Sequence, residues 1–270
     1  MISFPICKIN LGLNILAKRK DGFHEINSLM YPVPVKDVLE IVPAEKFNFR
    51  SAGLPIPGDH STNIVVQAYE LLKKEFNLDP VSIYLYKNIP MGGGLGGGSA
   101  NGAEALLLLN KIFVLNLSTD DLQKRAAILG SDCAFFIKST PQISKGRGEL
   151  LCDFNLDLSG KFLLLVNDGT HISTAEAYQG ISPTTPKHNL ENVLSQPIRT
   201  WKDDLINDFE YPMLEKYQQL KGIKNELYIL GAEYAAMTGS GSTMFGLFSK
   251  PPEMENTFDF KNGFVKLIEL

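Results

Sequence analysis

Six glycines stand within Pro90-Met91-Gly92-Gly93-Gly94-Leu95-Gly96-Gly97-Gly98-Ser99-Ala100-Asn101, directly ahead of an apolar run. Glycine leaves no Cβ between its N–H and a bound group, and it reaches backbone angles closed to other residues. A helix start behind it adds unpaired donors and the positive end of a dipole. Together these make an anion site suited to phosphate. A flexible linker shares this composition. Its flanks argue otherwise: Val81, Ile83 and Leu85 alternate with more polar residues on one side, and Glu104-Ala105-Leu106-Leu107-Leu108-Leu109 is strongly helix-forming on the other.

The loop fits neither familiar phosphate motif. Gly92, Gly94 and Gly97 satisfy G-x-G-x-x-G, but a run this rich in glycine satisfies many patterns, and another helix follows where a dinucleotide fold needs a strand. Gly92-x-x-x-x-Gly97 is followed by Gly98 where a Walker loop has lysine. Positive charge and reactive groups must come from elsewhere. Lys8 sits in an otherwise apolar strand, and Asp132 precedes Cys133-Ala134-Phe135-Phe136-Ile137, which should draw it partly out of water. Each has an ordinary explanation, a solvated or snorkelling lysine and a helix-capping aspartate.

The elements that would position these groups follow from periodicity. Ile6 to Leu16 alternates Lys8, Asn10 and Asn14 with Cys7, Ile9, Leu11, Leu13 and Ile15, a half-buried strand with Lys8 and Asn10 on one face. Lys18 to Gly22 reads as a turn into a second strand from about Glu25 to Val35, making a hairpin. Short strands follow at Val38 to Val42 and Phe47 to Arg50, then a loop from Leu54 to Asp59. Asn63 can cap a helix through Val65, Ala68, Leu72 and Phe76. A helix from Asn101 to Phe113 follows the glycine loop, and Ser118-x-x-Asp121 reads as a capping box for one ending at Gly130. Phe162 to Val166 is a buried strand, Ser182 to Pro197 a loop or lid, and Tyr234 to Phe248 two strands joined by Gly239-Ser240-Gly241-Ser242. The change of character near Asp153 to Gly160 divides the chain into 1–155, with the phosphate loop and the reactive pair, and 156–270, on the substrate side.

With 270 residues, 44% hydrophobic and 21% charged, the chain can bury a proper core and is not a disordered type. A net charge of −4 gives nucleic acid no basis for binding, and the short, interrupted apolar segments suggest neither a membrane span nor an export signal. Cys7, Cys133 and Cys152 are far apart, without C-x-x-C, as expected of reduced thiols in a cytoplasm. His24, His60, His171 and His188 are scattered and show no structural-zinc spacing.

In order along the chain, Lys8-Ile9-Asn10-Leu11-Gly12-Leu13, the Pro90 to Asn101 loop and Met237-Thr238-Gly239-Ser240-Gly241-Ser242 resemble the small-molecule kinases of the galactokinase, homoserine kinase, mevalonate kinase and phosphomevalonate kinase superfamily. Lys20-Asp21-Gly22-Phe23-His24, Leu129-Gly130-Ser131-Asp132 and Gly146-x-Gly148-Glu149 resemble one branch of it, whose acceptor is a cytidine diphosphate conjugate of a branched tetritol in non-mevalonate isoprenoid synthesis. The likeness spans essentially the whole chain. It departs at Cys7, where the family usually has alanine, and at Phe23, where it usually has tyrosine; phenylalanine keeps a stacking face and loses a hydroxyl hydrogen bond.

The resemblance implies an α+β fold of two domains, a ribosomal-protein-S5-like amino-terminal one and a ferredoxin-like carboxy-terminal one. It also implies transfer of the γ-phosphoryl of ATP, with Mg²⁺, to a tertiary alcohol. Asp132 would accept or orient the hydroxyl proton, and Lys8 would stabilise developing charge. Asn10 would bond the acceptor alcohol or Asp132. Pro90, Gly92, Gly93, Gly94, Leu95, Gly96, Gly97, Gly98 and Ser99 would hold the phosphates, with Ser99 equally suited to capping, and Asn63 would join the nucleotide site or serve only as a helix cap. Phe23 and His24 would hold the cytosine, with Tyr178 as a second stacking face; Thr174 and Lys145 are weaker substrate candidates. The sequence leaves metal ligands and oligomeric state open. Two other readings are a mevalonate or homoserine kinase, disfavoured by the Asp-Gly-Phe-His segment, and a non-catalytic nucleotide- or RNA-binding module, disfavoured by the Lys8 and Asp132 pair and the acidic balance.

Overall fold

The computed structural model describes residues 1–254, 257–260 and 263–270. In chain order its strands and helices begin β1 (Ile2–Ser3), β2 (Ile6–Lys18), β3 (His24–Lys36), β4 (Val38–Pro43), β5 (Asn48–Gly53), α1 (Ile64–Phe76), β6 (Val81–Lys87), α2 (Gly97–Ile112), α3 (Thr119–Leu129) and α4 (Phe135–Lys138). They continue β7 (Gln142–Gly146), β8 (Leu150–Asp153), β9 (Phe162–Asn167), α5 (Thr174–Gln179), α6 (Leu190–Leu194), α7 (Glu210–Lys216), α8 (Gln218–Ile229), β10 (Tyr234–Met237), β11 (Met244–Phe248) and β12 (Phe264–Glu269).

The chain forms two compact units interleaved along the sequence: Met1–Lys8, Pro32–Met91 and Gly96–Thr140 make the first, and Ile9–Tyr31, Gly92–Leu95 and Pro141–Leu270 the second. A single cut at 155 is a different division, because β3 pairs with β7 from Ile26 to Met30 and so draws the early hairpin to the later segment.

In the first unit the sheet runs β1-β4-β6-β5, with β5 parallel to β6 and α1 connecting them. Leu39 and Ile41 lie opposite Leu85 and Ile83 and are buried with them, each such side chain stabilising the fold by roughly 1.5–3 kcal/mol. Helix α2 packs against α1, α3, α4 and β4. It begins at Gly97, four residues before the expected Asn101, so Gly97, Gly98 and Ser99 form its first turn. Ser118 and Asp121 form the capping box of α3 as expected.

In the second unit β9 to β12 form an antiparallel sheet in the order β10-β11-β9-β12, the ferredoxin-like arrangement, with α8 against β10 and β11. Between β11 and β12 no helix occurs among the described residues. A second sheet has the order β2-β3-β7-β8. Strand β2 is buried on both faces from Cys7 to Ile15, not half-buried. Its Asn10 N–H donates to Thr238 Oγ1 and its side-chain amide to Ser28 Oγ, while Leu13 and Ile15 join the unit's apolar core. The 182–197 segment is more structured than a loop: Asn189 caps α6, whose Leu190, Val193 and Leu194 are buried.

Candidate active site

The first unit brings Lys8, Asp132 and the start of α2 together. Lys8 is buried and its Nζ lies 3.4 Å from Asp132 Oδ2, whereas the aspartate side chain keeps 31% of its surface open. Asp132 occupies the turn between α3 and α4 and is not a cap, since α4 starts from Ala134 without a side-chain cap bond. The Lys8 stem runs against Gly96, where a Cβ would stand 3.1 Å from Lys8 Cγ. Ser99, inside the first turn of α2, makes a side-chain hydrogen bond with the Cys133 thiol; burial pushes that thiol up to about 12 despite this bond.

Ser99 does not cap the helix. The cap position belongs to Gly96, in the left-handed region and without a side-chain bond. The first helical hydrogen bond runs from Ala100 N–H to Gly96 C=O, leaving the N–H groups of Gly97, Gly98 and Ser99 without partners among the described residues. A Cβ on Gly98 would meet nothing within 4 Å. Unpaired donors at a helix start, with room beside Gly98, suit the phosphates of a nucleotide. Asn63 caps α1 with its side-chain oxygen on Val65 N–H, so its amide NH₂ is what remains to offer a ligand.

The glycine loop is divided between the units, with Pro90, Met91 and Gly96 onward in the first and Gly92–Leu95 in the second. In the second, Gly94 cannot carry a side chain, because a Cβ would stand 2.0 Å from Thr238 O. Thr238 accepts from Asn10 N–H and donates to Gly94 C=O, tying β2 to this part of the loop. Leu95 is buried, and Gly93 C=O accepts from Thr243 N–H.

The proposed base-binding aromatics are arranged differently from a Phe23 and Tyr178 sandwich. His24 stacks on Tyr178 with centroids 4.5 Å apart and planes at 17°, and Tyr178 meets Phe209 edge-on. Phe23, half exposed, is faced by the Arg147 guanidinium at 4.8 Å. Burial, with a smaller contribution from the Lys18 charge, holds the His24 imidazole below its usual pKa. Thr174 opens α5 with its hydroxyl 3.5 Å from Ser240, in the glycine motif after β10. Lys145, the exposed residue of an otherwise buried β7, pairs with Glu191 at 3.3 Å.

One cluster was not anticipated from the sequence. Asp37, between β3 and β4, is fully buried and accepts from Asn88 N–H at 2.7 Å, Ile89 N–H at 2.8 Å, Asn101 Nδ2 at 2.8 Å and the buried Lys87 ammonium. Burial pulls the Lys87 ammonium below the usual lysine range, and Asp37 partly restores it. A signal existed: Lys87 continues the inward phase of Val81, Ile83 and Leu85, and a lysine there requires an anion.

Among the described residues no group of three or more His, Cys, Asp or Glu side chains could hold a metal ion, and no helix is long and apolar enough to cross a membrane.

A glycine-opened helix beside a lysine and aspartate pair, with a ferredoxin-like sheet elsewhere in the chain, defines the class of GHMP kinases, and residues 63–140 match the family model described as the GHMP kinases N terminal domain. The chain is 48% identical, over the full length of both proteins, to the 4-diphosphocytidyl-2-C-methyl-D-erythritol kinase of Bacteroides fragilis. It is 45% identical to the one of Cytophaga hutchinsonii, over 97% of this chain and 98% of that protein. A crystal structure of 4-(cytidine 5'-diphospho)-2C-methyl-D-erythritol kinase superposes with a TM-score of 0.78 at 29% identity, over 92% of this chain and 90% of the other. The chain belongs to the 4-diphosphocytidyl-2-C-methyl-D-erythritol kinase family.

Proposed function

We propose that the chain transfers the γ-phosphoryl group of ATP to the 2-hydroxyl of 4-diphosphocytidyl-2-C-methyl-D-erythritol. The observation that carries this reading is the Lys8–Asp132 pair at 3.4 Å beside the first turn of α2; the relatives' names supply the acceptor.

The acceptor oxygen attacks the γ-phosphorus, the bond to the β,γ-bridging oxygen breaks, ADP leaves, and the hydroxyl proton passes to Asp132. Such transfers run through a loose transition state governed by positioning and charge. Asp132 is open enough to meet a hydroxyl, and buried Lys8 holds a cation against it. The N–H groups of Gly97, Gly98 and Ser99 receive phosphate oxygens, with Pro90 and Gly92 to Gly96 shaping the approach and Asn63 offering its amide to the nucleotide. Mg²⁺ would neutralise charge on the phosphates when bound, and the Ser99 hydroxyl, in the first turn of α2, is a candidate side-chain oxygen to hold it.

On the acceptor side, Phe23 offers a half-exposed ring to the cytosine. His24, kept neutral, can both donate to and accept from a pyrimidine edge, and Tyr178 fixes its plane. Asn10, buried and bonded through its amide to Ser28, would meet the acceptor by exchanging that bond, with Thr174 and Lys145 as lesser contacts. Product analysis tests the assignment. Phosphorus NMR should show one new phosphomonoester, coupled to no carbinol proton because the 2-carbon is tertiary; a phosphomonoester coupled to CH or CH₂ protons would contradict it.

A further inference from the structure

We propose that Asp37, acting with Lys87 and Asn101, is the positioning group of the phosphate loop: it fixes where the loop begins relative to the first turns of α2. The proposal rests on the kinase reading only in taking that loop to bind ATP. One carboxylate collects four donors, near the capacity of its two oxygens. Two come from the backbone just before Pro90, and one comes from Asn101 in the second turn of α2. The fourth, Lys87, reaches the helix start itself, since a Cβ on Gly97 would stand 2.9 Å from Lys87 Nζ. Asp37, Lys87 and Asn101 are all fully buried. All of these contacts lie within the first unit.

Buried ion pairs add little net stability over apolar packing of the same volume. What directed hydrogen bonds supply, and methyl groups do not, is a defined distance between the segments they join. That distance sets where the N–H groups of Gly97 to Ser99 point, and small misplacements of a reacting group carry large kinetic costs.

Asn101→Leu keeps the branched shape and the heavy-atom count, adds some volume, leaves the ion pair intact and detaches α2 from Asp37. ATP affinity by equilibrium titration and steady-state kinetics should show Kd and KM for ATP raised by about tenfold or more, with KM for the acceptor within about twofold. A folded variant that loses thermal stability but binds ATP as the wild type does would reduce the cluster to structural support and overturn the proposal. Should Asn101→Leu not fold, amide exchange in the wild type decides: Asn88 and Ile89 should be protected with and without nucleotide, and exchange at free-loop rates overturns the proposal. Wild-type protein that binds ATP but does not turn over the cytidine diphosphate acceptor would sink the acceptor assignment and leave the positioning role standing.

Discussion

The Lys8 ammonium stands 3.4 Å from the Asp132 carboxylate, with the lysine buried and the aspartate partly open. A cation fixed from the protein side and an anion presented toward solvent suit one proton acceptor with a charge-stabilising neighbour. Asp132→Asn removes the acceptor with almost no change in shape. Its kcat should fall by about 10²–10⁴-fold while ADP affinity stays near that of the wild type. Lys8→Met should fall comparably, and the double variant little further, because groups acting as a unit are not additive. Near-normal turnover by Asp132→Asn would remove it from the chemistry.

Gly98 separates stability from function. A Cβ there meets no protein atom, and alanine in a helical turn is favoured over glycine by about 0.5–1 kcal/mol. Gly98→Ala should therefore raise Tm by about 1–4 °C and raise KM for ATP on the order of tenfold, because the methyl enters the space assigned to phosphate. Unchanged ATP kinetics would place the phosphates elsewhere.

Stacked on Tyr178 and partly desolvated, His24 titrates below its ordinary 6.5. The unfolded chain takes up the proton first, so the stability contributed by neutral His24 is full above about pH 6.5 and is lost as the pH falls through the folded value. An NMR titration of the His24 ring should give a midpoint under 6.5; one at or above it would contradict the burial argument.

The thiols should divide by environment. Burial pushes Cys7 and Cys133 up to about 12, while Cys152 is exposed. A chromogenic disulfide at mild alkaline pH should label Cys152 alone in the native protein and all three after unfolding. Fast native labelling of Cys133 would show that the turn carrying Asp132 is open.

What the sequence made legible was whatever broke its own local pattern. Lys8 is a charge in an apolar strand, Asp132 an anion before an apolar turn, and the glycine run has no propensity of its own to conceal it. The hairpin of β2 and β3, the cap at Asn63 and the capping box at Ser118 follow from short-range rules and lie within a residue or two of their expected bounds. Less legible was anything settled by partners distant in sequence. Asp37 meets Lys87 fifty residues on, and neither looks unusual until the strand's inward phase is extended by one residue past Leu85. The start of α2 lies within the glycines, where Gly97 stands close against Ile89 and Lys87, a tertiary contact that glycine's poor helix propensity does not foretell. The stacking of His24 on Tyr178 joins residues far apart in sequence, which no local pattern shows.

The identity of the acceptor is the property simplest to measure. Initial rates of ADP formation with ATP, Mg²⁺ and 4-diphosphocytidyl-2-C-methyl-D-erythritol should be compared with rates on mevalonate and on homoserine. Turnover confined to the cytidine diphosphate conjugate, and abolished in Asp132→Asn, is the expected result. Turnover of mevalonate or homoserine with none of the conjugate would contradict it.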